Sequence, residues 1–283
     1  MLPIGVNTFL LTSPFTNERI DIIRQFKDWG CDTIEIALED ASHIDPHLIK
    51  QALDDNGLRC SSICAAMGPG RDLRGNEAEQ QQAIDYISQV LDVMTVLDCP
   101  VMVGPLYSTV GRAEQTAEDA YKSQWDVVVK HLKTLAARAG DLGKKLAIEP
   151  LNRYETDFIN TCEQALRLVG DVDHDAVGLL LDTYHMNIEE KDSAAAIRRA
   201  GKNLLHVHAC GCDRGAPGND HIDWVGIRDA LKDIDYSGSL VIESFTPAVK
   251  VIAKAASIWR NFEPSREAIA VQGISFLRTH FGA

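Results

Sequence analysis

The chain predicts an α/β fold of the (β/α)8 kind, a TIM barrel, on three observations. Strand-like and helix-like segments alternate about eight times; the strand-like ones are apolar along their length; and four of them end on a side chain of metal-ligating type. Repeated βα units with short connections imply a parallel sheet buried on both faces, and about eight of them imply closure into a ring whose ligand-binding face lies at the carboxyl ends of the strands. At 283 residues the chain is near the ~250 typical of one such barrel, so a single domain over residues 1–283 is expected. An open doubly wound sheet is the alternative, but no Gly-x-Gly-x-x-Gly follows the first strand.

Taken in order, the first strand is expected at residues 4–8, followed by a helix in which Ile20, Ile23 and Phe26 recur at i, i+3 and i+6. A second strand spans 33–38, and Asp45 before Pro46 reads as an N-cap with proline at the first helical position. After a third strand at 59–65, Ile84, Ile87, Val90, Leu91 and Met94 form a long helical stripe, leading to a fourth strand at 101–106. The last four strands are 145–149, 177–182, 204–208 and 239–243, and Gly170 and Gly201 follow apolar helical segments as expected C-caps. Two glycine-rich connections, 66–75 and 210–218, follow strands and so should overhang the carboxyl face, as ligand-approaching loops or as plain punctuation.

Composition narrows the function. A net charge of -13 repels phosphate backbones, and no basic stripe suited to nucleic acid is visible. Seven scattered cysteines without a Cys-x-x-Cys pair suggest reduced thiols and a cytoplasmic address. The amino terminus lacks the pattern of a secretory signal, and no segment approaches the ~18 uninterrupted apolar residues of a membrane span.

Glu149, Asp182, His208 and Glu243 close the last four strands. A charged group is tolerated in such strands only near the end, where water and ligands reach. Singly, each has a plain structural explanation, as a helix cap or a hydrogen-bonded core histidine; four in one layer at successive strand ends point to a shared divalent ion. Three carboxylates and one imidazole, without thiolate, favour Mn2+, with Co2+ or Mg2+ as alternatives. Cys210 and Cys212 stand too close together, without a second pair, for a thiolate zinc site. Strand period two puts His206 on the same side as His208, one layer deeper, as a support or as core.

The segments Ile-Glu-Pro-Leu-Asn-Arg-Tyr-Glu (148–155), Leu-Asp-Thr-Tyr-His-Met-Asn-Ile-Glu-Glu (181–190), His-Val-His-Ala-Cys-Gly-Cys-Asp-Arg-Gly-Ala-Pro-Gly (206–218) and Ile-Glu-Ser-Phe (242–245) closely resemble the ketose 3-epimerases of the xylose-isomerase-like TIM barrels, which act on D-tagatose, D-allulose (D-psicose) or L-ribulose. The likeness extends from the opening Gly-Val-Asn strand to Ile-Trp-Arg at 258–260. It implies that Glu149, Asp182, His208 and Glu243 are the metal ligands, that Glu155 and His185 contact the O1 end of a small-molecule ketose, and that Arg214 contacts O2. It also implies a homodimer or homotetramer, for which Ile252, Ile258, Trp259 and Phe262 offer an apolar face or, equally, an outer barrel layer. Glu149 and Glu243, from strands well apart on the ring, are the expected acid and base of a C3 epimerisation. The rival readings are an aldose-ketose or hydroxypyruvate-type isomerase, an inosose-type dehydratase, an abasic-site nuclease, which the acidic balance disfavours, and a non-catalytic sugar binder. The loop 244–248 is not glycine-rich, which favours a free over a phosphorylated sugar.

Overall fold

A computed structural model of the chain describes residues 1–282. Eight strands, β1 (Ile4–Asn7), β2 (Thr33–Leu38), β3 (Arg59–Ala65), β4 (Val101–Gly104), β5 (Lys145–Ile148), β6 (Val177–Asp182), β7 (Leu204–His208) and β8 (Leu240–Ile242), pair in sequence order. All pairings are parallel, and β8 closes on β1 through Ile4 opposite Leu240 and Val6 opposite Ile242. The expected TIM barrel is what the chain forms. The first and fourth strands are shorter than expected because Thr8 turns into a 3-10 segment and Gly104 adopts φ 129, a conformation only glycine takes readily.

The outer layer is α1 (Asp21–Asp28), α2 (Pro46–Asp55), α3 (Glu77–Val96), α4 (Glu118–Asp141), α5 (Cys162–Val172), α6 (Thr183–Glu189), α7 (Ser193–Ala200), α8 (Trp224–Asp233), α9 (Lys250–Ala255) and α10 (Arg266–Phe281). Their inner faces bury Ile23 and Phe26 of the expected stripe on α1, joined by Ile22 while Ile20 caps the helix half-buried, and Ile87, Val90, Leu91 and Met94 of the expected stripe on α3, with Ile84 half-buried beside them. Asp45 caps α2, its carboxylate accepting from the amides of His47 and Leu48. Gly201 follows α7 with φ 53, as expected, but Gly170 lies inside α5; the left-handed cap there is Asp173, φ 50. Aspartate tolerates that conformation better than most residues, so helix continuity through Gly170 is set by Val172 packing into the core rather than by the glycine.

The connection at 66–75 is pinned rather than free. Arg74, its side chain buried, donates to Gln124, Ser108, Thr116 and Asp157, the last at 2.7 Å, and stacks over Phe158 at 4.5 Å. Arg112 reaches back to Asp72 at 2.9 Å, so the loops after β3, β4 and β5 are tied together. Of the four apolar residues near the carboxyl end, Ile258 is buried and Ile252 and Phe262 pack against the Phe9–Phe245 cluster at the barrel mouth, leaving Trp259, 72% exposed, facing outward. The seven cysteines are free, and no helix among the described residues is long and apolar enough to cross a membrane.

Candidate metal centre and active site

The barrel brings the four strand-end residues together. Asp182 and His208 terminate β6 and β7 and sit opposite each other in the register, while Glu149 and Glu243 are the first residues beyond β5 and β8. Glu149 stays anchored, its amide bonded to the carbonyl of Gly104 at 3.1 Å and its carbonyl accepting from the Tyr107 hydroxyl at 3.0 Å. One donor atom from each of the four lies within 4.8 Å of the others, and all four side chains are buried. His208 Nδ1 stands 3.3 Å from Glu243, 3.7 Å from Asp182 and 3.9 Å from Glu149.

A divalent ion fits this donor set. Glu149 Oε1 and His208 Nδ1 are buried with no hydrogen-bond partner, which costs about 1–3 kcal/mol per group unless something else satisfies it. Three carboxyl groups crowd around one imidazole and one guanidinium, an excess of acidic groups that a divalent ion would offset. The crowding shows in the acid–base balance: burial first, and then the charge of Glu243, push the Glu149 carboxyl well above its ordinary range. Burial opposes ionisation of Asp182 too, but Arg214 and His208 outweigh it and hold that carboxyl low. For His208 burial is likewise outweighed, by Glu35 and Glu243, which hold the ring well above the usual histidine value.

The three residues expected to face substrate lie beside the cluster. Arg214 is carried in by the loop after β7 with φ 70, a left-handed conformation uncommon outside glycine. Its Nη1 donates to Asp182 at 2.5 Å and Glu243 at 3.0 Å, and its guanidinium lies over the rings of Tyr184 and Phe245. His185, on α6, accepts the backbone N–H of Asn152 on Nδ1 at 3.0 Å, and its Nε2 stands 2.9 Å from Arg214 Nη2 and 3.6 Å from Glu149. Burial and the nearby Arg214 push His185 down to about 3, so the ring is neutral. Glu155 is held by Asn152 Nδ2 at 2.7 Å, and burial raises its carboxyl.

The layer beneath this site, where strand period placed His206, is centred on Glu35, a residue outside the expected set. Glu35, in the middle of β2, is fully buried and contacts both His208 and His206 at 2.9 Å, with Asn7 and Ser62 alongside. The signal was present, an acid inside the apolar run at 33–38, but attention to strand ends missed it. His206 is thereby a hydrogen-bonded support of that layer. A separate cavity of about 850 Å³ opens at the opposite, amino-terminal end of the barrel, lined by residues such as Arg59, Lys145 and Lys202.

The closed parallel barrel agrees with the family model described as xylose isomerase-like TIM barrel, which matches residues 23–280. The chain is 34% identical over 275 residues to a probable ketose 3-epimerase of Synechocystis sp., covering 97% of this chain and 95% of that protein. It is 33% identical to a D-psicose 3-epimerase of Ruminiclostridium cellulolyticum, over 82% of this chain and 80% of the relative. The fold superposes with TM-score 0.92 and 28% identity on a D-allulose 3-epimerase from Methylomonas sp. in complex with D-allulose, covering 99% and 97% of the two chains. The chain belongs to the ketose 3-epimerases of the xylose isomerase-like TIM barrel family, enzymes of the isomerase class.

Proposed function

We propose that this protein epimerises free ketoses at C3, on substrates of the D-tagatose, D-fructose/D-allulose or L-ribulose type, with Glu149, Asp182, His208 and Glu243 holding one divalent ion, Mn2+ first among the candidates. The observation that carries the reading is the convergence of four donors from the ends of successive strands within 4.8 Å, two of them buried without a hydrogen-bond partner. When bound, the ion supplies Lewis-acid stabilisation of the negative charge that develops on the sugar oxygens.

The rest is the work of side chains. Glu149 and Glu243 approach from β5 and β8; one removes the C3 proton and the other returns a proton to the opposite face of the enediolate, exchanging roles with direction. Each such transfer contributes roughly 10²–10⁴ in rate. Arg214 donates toward O2, where charge accumulates, and its aromatic flanks keep the guanidinium dry. Glu155 and neutral His185, both fixed by Asn152, orient the O1 end and restrict rotation of the intermediate.

Turnover in D2O followed by NMR tests the reaction: deuterium appears at C3 for the epimerase, whereas label at C1 or C2 means an aldose-ketose isomerase. A homodimer or homotetramer is proposed from the family likeness and a cytoplasmic address from the seven free cysteines, and light scattering on the purified protein measures the assembly.

A further inference from the structure

We propose that Glu35 is a positioning residue of the metal centre: it holds the His208 ring with Nδ1 turned toward Glu149, Asp182 and Glu243, and through Asn7 it aligns the carboxylate of Glu243. The inference rests on the reading of His208 and Glu243 as ligands given above.

Glu35 lies on β2, opposite β6 in the ring and two strands from β8, with no solvent exposure. Its Oε1 accepts from His208 Nε2 at 2.9 Å and Asn7 Nδ2 at 2.7 Å, and its Oε2 from His206 Nε2 at 2.9 Å and Ser62 Oγ at 2.5 Å. Four donors therefore occupy the roughly four acceptor positions of one carboxylate, which makes Glu35 an acceptor on every side. The bond to Glu35 engages Nε2 and leaves Nδ1 facing the carboxylates, where that atom has no hydrogen-bond partner. A ligating imidazole whose second nitrogen donates to a carboxylate is fixed in tautomer and in ring angle.

Asn7 extends the brace. Its side-chain oxygen accepts the Phe9 amide at 2.8 Å, which settles which end of the amide is nitrogen; that nitrogen then reaches both Glu35 and, at 3.3 Å, Glu243 Oε1. One buried carboxylate thus touches one proposed ligand directly and a second through a single amide. Glu35, His206 and His208 also have the composition of a metal site. Their nitrogens and oxygens already meet at hydrogen-bond distance, so they are bonded to one another rather than splayed around an ion.

Calorimetric titration of the metal-free protein with Mn2+ tests this, comparing wild type, Glu35→Gln and the direct-ligand variant Asp182→Asn. The glutamine keeps the shape but brings an NH2 into a pocket made of donors. Its Mn2+ affinity is expected to fall about 10–100-fold, with turnover recovered by raising Mn2+, a rescue that general damage to the fold would not allow. Because Glu35→Gln is a core change, a second measurement uses the wild type alone: with 113Cd2+ bound and histidine 15N-labelled, the metal couples to Nδ1 of His208 while Nε2 keeps its proton. An affinity for Glu35→Gln within twofold of wild type, or coupling to Nε2, overturns the proposal. Wild type that binds neither Mn2+ nor Cd2+, like Asp182→Asn, overturns the metal-site reading itself.

Discussion

Glu243 and Arg214 share one contact, Nη1 at 3.0 Å from Oε2, yet their proposed duties differ. Glu243→Gln removes the proton acceptor but keeps an oxygen for the ion, so turnover is expected to vanish while substantial Mn2+ affinity survives. Exchange of the C3 hydrogen with solvent is the sensitive readout, and a variant that still exchanges it at near the normal rate would remove Glu243 from the chemistry. Arg214→Lys keeps the charge but loses the planar fork that spans Asp182, Glu243 and the neighbourhood of His185. Its kcat is expected to drop about 10²–10³-fold, the usual loss when a donor aimed at developing oxyanion charge is removed. A steady-state assay that shows only a raised KM would place Arg214 in ground-state binding instead.

Among the elements, the loops after β3, β4 and β5 behave as one unit because Arg74 is buried in their midst and paired with Asp157. Arg74→Ala removes a fully buried guanidinium and leaves Asp157, 13% exposed, with only its Thr116 and Glu114 contacts, and about 1–3 kcal/mol of stability is expected to be lost in chemical denaturation. The same pair gives an acid limb to the stability curve. Burial opposes ionisation of Asp157, but the Thr116 contacts and Arg74 outweigh it and bring the carboxyl down to about 2. A depressed native value means that Asp157 stabilises the fold fully above the unfolded value near ~3.9 and ceases to do so as pH falls through about 2. Unfolding free energy measured from pH 5 to pH 2 should therefore decline less steeply for Asp157→Asn than for wild type, and identical slopes would show that the pair carries no such linkage.

At the scale of the whole molecule, β5, β6, β7 and β8 are adjacent staves of a closed ring, so the proposed ion at their ends would tie half the barrel at its mouth. Stripping the protein with EDTA is expected to abolish activity and lower the thermal midpoint, and Mn2+ at about 100 times its Kd to restore some 2.7 kcal/mol. Calorimetric scans with and without metal check this; an unchanged midpoint together with full activity after stripping would leave the cluster without a metal role.

Element order, barrel class and the four strand-end residues were legible in the sequence because a doubly buried strand carries charge most readily where it meets the ligand face, so Glu149, Asp182, His208 and Glu243 stood out against apolar runs. Contacts between strands distant in sequence were not legible. Glu35 reaches His208 across 173 residues of chain, and Asn7 reaches Glu243 across 236; nothing in local periodicity encodes which side chains meet inside a closed ring. The glycine-rich loop at 66–75 shows the same limit, since Arg74 turns out to be an internal tie. Local pattern determined which residues each strand presents; ring closure and register decided which of them face one another, because those distances exist only once all eight strands have paired.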